Sequence, residues 1–239
     1  NVAMNVINKV RNRIDKSWKP KTHQGALSRY DDFEQLDMTS GEWLVMARTK
    51  YMLNELEDTL YRNGLYYRNK FKKTKEQELH YAAQDWENLR KGQLLAYKEV
   101  ERVYGYMKDN TDKSKLKGML KDGSYNIDTL KQSYGLKTDS PWFEAFDDAP
   151  SRDVNYLRKM RKNGEKLNES PRITLSTIHG AKGGESQNVV LLTDLSENTM
   201  KGYEKNPDDE NRLFYVGATR TKEHLHIISP KQEYKGYSI

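Results

Sequence analysis

Residues 188–193 read Asn-Val-Val-Leu-Leu-Thr, a continuous apolar run of strand length. A strand that is apolar on both faces must be covered on both, so runs of this kind belong to buried, mostly parallel sheets. Trp43-Leu44-Val45-Met46-Ala47 is a second such run. Leu65-Tyr66-Tyr67, the alternating Arg172–Ser176 and Glu223–Ser229 read as further strands. Helix patterns lie between them. Val2, Val6, Ile7, Val10 and Ile14 predict an opening helix to about Trp18, ending near Pro20. The acidic stretch of Asp31, Asp32, Glu34 and Asp37 reads as a connecting loop. Met52, Leu53, Leu56 and Leu60 predict a helix capped by Thr49 and ended by Gly64. Asp208 or Asp209 can cap a helix through Thr219. Strand and helix in alternation predict an α/β fold on a parallel sheet.

The alternation is interrupted from about Phe71 to Ser170. Here Thr74 and Gln77 match a capping box, and Leu79, Ala82, Trp86 and Leu89 follow at helical spacing. Tyr97, Val100, Tyr104 and Met107 continue the pattern, with shorter pieces at Lys113–Leu120, Ile127–Tyr134 and Val154–Arg161. No buried strand is evident. The organisation expected is a discontinuous α/β lobe, residues 1–70 and 170–239, with an all-α subdomain inserted at 71–169.

Several classes of function drop out. The chain has 239 residues and no cysteine, which excludes disulfides and cysteine-ligated metals. Its 5 His show no ligand spacing, so no metal site is expected. No apolar run is long enough to span a bilayer and the N-terminus does not read as a signal peptide, so a cytoplasmic protein without a membrane partner is expected. The helical pattern begins at once and the first residue is Asn1, which reads as part of a larger protein. The net charge is +6. It concentrates in residues 9–29 and in 152–166, the latter with Arg152, Arg158, Lys159, Arg161, Lys162 and Lys166. Such clusters draw polyanions, or are simply solvated helix faces.

Two segments carry chemistry. Ser176-Thr177-Ile178-His179-Gly180-Ala181-Lys182-Gly183-Gly184-Glu185 lies between two predicted strands, where α/β folds place ligand loops. Its glycines let backbone N–H groups approach an anion. It is not a Walker A loop, because G-x-x-x-x-G-K-[ST] occurs nowhere in the chain. Thr193-Asp194 faintly mimics the end of a Walker B strand, but without a phosphate loop it reads as a strand ending at a polar turn. The second segment is Asp209–Arg220. Arg220, at the helix end, is placed either to reach a partner surface or to stabilise its own helix C-terminus.

Together these segments resemble motifs V and VI of superfamily-one helicases of the UvrD/Rep type. Thr177 to Glu185 fits T-[LI]-H-x-A-K-G-x-E, and Glu210 to Arg220 fits E-x-R-L-x-Y-V-x-x-T-R. Trp43 to Arg48 is similar to motif IV, a strand followed by an arginine. The helical block stands where the family inserts its 2B subdomain. The resemblance implies the second RecA-like lobe of a P-loop-type motor, without the P-loop. It implies ATP with Mg²⁺, held mainly by an N-terminal RecA-like lobe of the same protein, and single-stranded DNA as partner. By the same resemblance Arg220 is an arginine finger and Arg48 a second phosphate-sensing arginine. Glu185 meets the nucleotide ribose, Gly183 shapes the nucleotide-side loop, and Thr177 and His179 face single-stranded DNA. The expected activity is ATP-driven translocation or unwinding, 3′ to 5′, absent without the first lobe. Gly184 and Ser186 depart from the larger apolar residues usual in the family. Two other readings remain: a degenerate lobe that binds nucleic acid or protein without using ATP, and a nuclease–helicase subunit, for which no nuclease carboxylate cluster is visible.

Overall fold

The structure, a computed structural model, describes residues 2–14, 24–72, 76–166 and 169–239. In chain order the elements are α1 (Val2–Asn8), β1 (Ala26–Tyr30), β2 (Trp43–Ala47), α2 (Leu53–Asn63) and β3 (Tyr67–Asn69). Then come α3 (Glu76–Arg90), β4 (Leu95–Ala96), α4 (Tyr97–Gly105), β5 (Ser124–Tyr125), α5 (Ile127–Ser133), α6 (Trp142–Ala145) and α7 (Ser151–Lys162). The last are β6 (Ile173–Thr177), β7 (Ser186–Leu192), α8 (Glu197–Lys205), α9 (Pro207–Ala218) and β8 (Thr221–Ile228). Contacts divide the chain into two compact units, Asn1–Lys73 with Lys162–Ile239, and Thr74–Arg161.

The first unit is built on a six-stranded sheet in the order β1-β8-β7-β2-β6-β3, with every pairing parallel. This is the α/β class expected of a RecA-like lobe. β2 lies between β7 and β6, and all five of its residues are buried. Its side chains alternate. Leu44 and Met46 join Val189, Leu191, Leu225 and Ile227 in a core with Val6 of α1 and Phe214 and Ala218 of α9. Tyr237 closes that core, its ring stacked on Phe214 at 3.9 Å and its hydroxyl donating to Asn211 Oδ1 at 2.7 Å. β3 and β6 are adjacent parallel strands with Tyr67 opposite Ile173. The whole second unit therefore sits within one crossover connection, residues 70–172, where about a dozen residues suffice.

The second unit buries Leu79, Trp86, Leu89, Tyr104, Met107 and Leu157. Two of its buried polar groups are bonded to backbone, Trp86 Nε1 to Ser140 O at 2.9 Å and the Tyr104 hydroxyl to Tyr134 O at 2.9 Å, while the ring nitrogens of His80 and the Thr111 hydroxyl have no hydrogen-bond partner. It also contains a short antiparallel ladder, β4 with β5, in a block read from sequence as helices only. Two residues per strand leave no periodicity to detect.

Other boundaries moved for local reasons. Leu65 N–H bonds back to Leu60 O, and Gly64 ends α2 in the left-handed conformation at φ 67°, so the strand starts at Tyr67 rather than Leu65. Thr49 does not cap α2, whose N-cap is Met52. Neither Asp208 nor Asp209 caps α9, which starts at Asn206-Pro207. Instead the Asp208 carboxylate accepts the N–H groups of Arg11 and Asn12, at 2.8 and 2.9 Å, just past the end of α1. α1 stops at Asn8 and not near Trp18. Residues 15–23 and the Thr74 end of the proposed capping box lie outside the described residues.

On the sheet face opposite the α1–α9 core, the His226 ring stacks on His224 at 3.9 Å and meets Trp43 at 4.9 Å. It is 5% exposed, and neither ring nitrogen has a hydrogen-bond partner. Burial, and secondarily the neighbouring His224, push its pKa down from 6.5 to about 4. A depressed histidine pKa means that the unfolded chain takes up the proton first. His226 therefore contributes stability in full above about pH 6.5 and loses it as pH falls toward 4, at up to about 1.4 kcal/mol per pH unit. Thermal melts between pH 7 and pH 5 should show a clearly shallower loss of stability in His226→Phe than in the unsubstituted chain.

Candidate motor site on the parallel lobe

The strand registers define two rims. Ala47 is opposite Thr177, Met46 opposite Leu191, and Leu192 opposite Ile228. Arg48 and the Thr177–Gly180 turn thus stand at the carboxyl rim of the sheet. Ser186 is opposite Thr221, which puts Glu185 and Arg220 at the amino rim. β7 runs Ser186–Leu192 between these levels, so the rims are about 20 Å apart at about 3.3 Å per residue.

At the carboxyl rim, Arg48 is held by a carboxylate from α9. Its Nε lies 3.1 and 2.9 Å from the two Glu210 carboxylate oxygens, and its Nη2 donates to Oε1 at 2.7 Å. The side chains are 19% and 9% exposed. A fork of this kind is charge-assisted and fixes the plane of the guanidinium.

Beside it β6 leaves the sheet, with Ile178 N–H on Ala47 O at 3.0 Å. Thr177 is buried, and its hydroxyl accepts from Gly180 N–H at 3.0 Å, closing the turn. His179 at the tip is exposed. Gly180 is needed for space: a Cβ there would come within 2.8 Å of Ser176 Oγ and 3.0 Å of the Phe71 ring. Ile178 and Ala181 are buried in the core that also holds Phe214 and Ala218, which ties the loop to α9.

The loop then crosses to the amino rim. Gly183 adopts φ +83°, a left-handed conformation that favours glycine. Glu185 is exposed and shares a groove of about 530 Å³ with Arg68, Lys70 and Thr174. Ser186 N–H bonds to Arg220 O at 3.1 Å. The Arg220 guanidinium turns onto its own helix end, Nε on Val216 O at 3.0 Å and Nη2 on Thr219 Oγ1 at 3.3 Å.

The structure therefore brings Arg48 together with Glu210, close to the Thr177–His179 turn, and places Arg220 against Ser186, the residue after Glu185. It does not bring Arg48 and Arg220 to one point. Glu210 is the residue whose part was missed in the sequence. It was visible as the first position of a motif, but its partner lies 162 residues away. Of the two basic clusters, part of 9–29 lies outside the described residues. In 152–166, Arg158 lies over the Phe143 ring at 4.6 Å and Arg161 over Trp142 at 5.2 Å, so both contribute to packing. Among the described residues no helix is long and apolar enough to cross a membrane.

A family model described as UvrD-like helicase C-terminal domain matches residues 66–232. The chain is similar to the ATP-dependent DNA helicase srs2 of Schizosaccharomyces pombe, 44% identical over 68 residues, covering 28% of this chain and 8% of that protein. It is also similar to the putative ATP-dependent DNA helicase YjcD of Bacillus subtilis, 33% identical over 86 residues, 32% of this chain and 11% of that protein. The matches thus span about a tenth of the length of these curated relatives.

Thr177→Val keeps the side-chain shape and removes the acceptor that closes the turn. Urea denaturation should register a loss of about 1 kcal/mol, the usual net worth of one such bond.

Proposed function

The chain belongs to the UvrD-like helicase C-terminal domain family, and we propose that it works as the second motor lobe of an ATP-dependent DNA helicase. The observation that carries this reading is Arg48, a guanidinium fixed by Glu210 at the carboxyl rim, next to the Thr177–His179 turn. In this reading Arg48 faces the terminal phosphates of ATP, where a guanidinium stabilises the charge that develops during phosphoryl transfer. ATP with Mg²⁺ is held mainly by an N-terminal RecA-like lobe, which supplies the Walker lysine and the metal ligands that this sequence lacks. Thr177 and His179 meet single-stranded DNA in a grip that weakens with salt. Glu185, with Gly183 shaping its loop, meets the nucleotide ribose. Arg220 is the second motor arginine. It stands at the rim opposite Arg48, its carbonyl bonded by Ser186 N–H, so each arginine is tested by its own substitution. Movement is proposed to run 3′ to 5′ in a cytoplasmic protein.

One observation favours the second reading, a lobe that binds without using ATP: the Arg220 guanidinium is bonded to its own helix end. The discriminating measurement is single-stranded-DNA-stimulated ATPase activity of the full-length protein. Arg48→Ala and Arg220→Ala should each lower kcat about a thousandfold or more, the range lost with an arginine finger. The 239-residue chain alone should show no turnover. Full activity in both variants would hand the chain to the binding reading.

A further inference from the structure

Glu210 contacts no substrate in the proposed function, yet it is the group that determines where Arg48 points. It takes the side-on edge of the guanidinium, Nε and Nη2. Among the described residues Nη1 has no hydrogen-bond partner. Arginine carries its donors in a rigid planar fork, so occupying one edge orients the other. The edge left over, Nη1 with the outer N–H of Nη2, is the one that receives a phosphate end-on. A carboxylate across that end-on edge would instead block a phosphate. Glu210 is itself well placed to act as a fixed support. It lies in the first half of α9, its side chain is 9% exposed, and Asp208 and Asn211 on either side bond the backbone just past α1.

We infer that Glu210 is the positioning residue of the motor site: it locks Arg48 by its side-on edge and presents the end-on edge to the transferred phosphate. This rests on the reading of Arg48 given above. Glu210 keeps the guanidinium from collapsing onto other acceptors between turnovers, so Arg48 needs no reorganisation when the terminal phosphate arrives. Glutamine cannot replace it, because an amide offers one acceptor oxygen and would turn a donor toward the guanidinium.

The test is a double-mutant cycle in the full-length protein, reading kcat and KM for ATP with single-stranded DNA in excess. Glu210→Gln should lower kcat by about tenfold to a hundredfold, as expected when a reacting group is misplaced by about an ångström, while KM changes far less. In the Arg48→Ala background, Glu210→Gln should lower kcat no further, because it acts only through Arg48. Should Glu210→Gln fold poorly in a thermal melt, Glu210→Asp retains the charge, retracts the carboxylate by one methylene, and should also lower kcat. Loss in Arg48→Ala with unchanged kcat in Glu210→Gln and Glu210→Asp would overturn the inference and leave the motor reading standing. So would a further, additive loss in the double variant, the mark of a purely structural role. Unchanged kcat in Arg48→Ala would overturn both.

Discussion

Helix α9 lies close against the sheet because Gly217 has no side chain: a Cβ there would come within 3.1 Å of Leu191 Cδ1 and 3.4 Å of Ile178. That close approach organises the lobe. α9 runs from the carboxyl rim, where Glu210 meets Arg48, to the amino rim, where Arg220 meets Ser186. Phe214, midway, fills the core under Tyr237. On its outer side Asp208, Asn211 and Arg212 bond the chain that follows Val6. Sheet, motif loop and first helix all take their positions from this one helix.

The same geometry divides the candidate site residues. A helix rises about 1.5 Å per residue, so ten residues from Glu210 to Arg220 span about 15 Å. Sequence proximity within one motif thus conceals a separation across the lobe. Conversely, Arg48 and Glu210 are far apart in the chain and share one hydrogen-bonded edge of the guanidinium. A motif can list residues while leaving open which of them meet.

Legibility followed burial. β2 and β7 were readable because both faces are covered and the runs are continuously apolar. The motif loop was readable because its glycines and Thr177 answer local demands, a tight turn and a left-handed residue. β1 was not readable: Ala26–Tyr30 is an edge strand with mostly exposed side chains, held by its pairing to β8 some 200 residues on. α8 was missed because none of its residues is buried and its start rests on a local cap, Ser196 on Thr199. The caps of α2 and α9 went astray where a tertiary bond claimed the residue that local rules favoured, as with Asp208. Glu210 illustrates the limit for the site: its partner is chosen by the fold, and no local pattern records it.

The crossover from β3 to β6 also bears on how the lobe assembles. Pairing Tyr67 with Ile173 closes a loop of about a hundred residues, and contacts so distant in sequence slow folding. The inserted unit has its own buried core around Trp86 and Tyr104. Once that core has collapsed, the disordered chain still to be closed shrinks to the short segments flanking it. Each halving of loop length returns about 0.6 kcal/mol of closure entropy. An order of events in which the insertion condenses first and the sheet zips shut afterwards is therefore the one that costs the least loop-closure entropy.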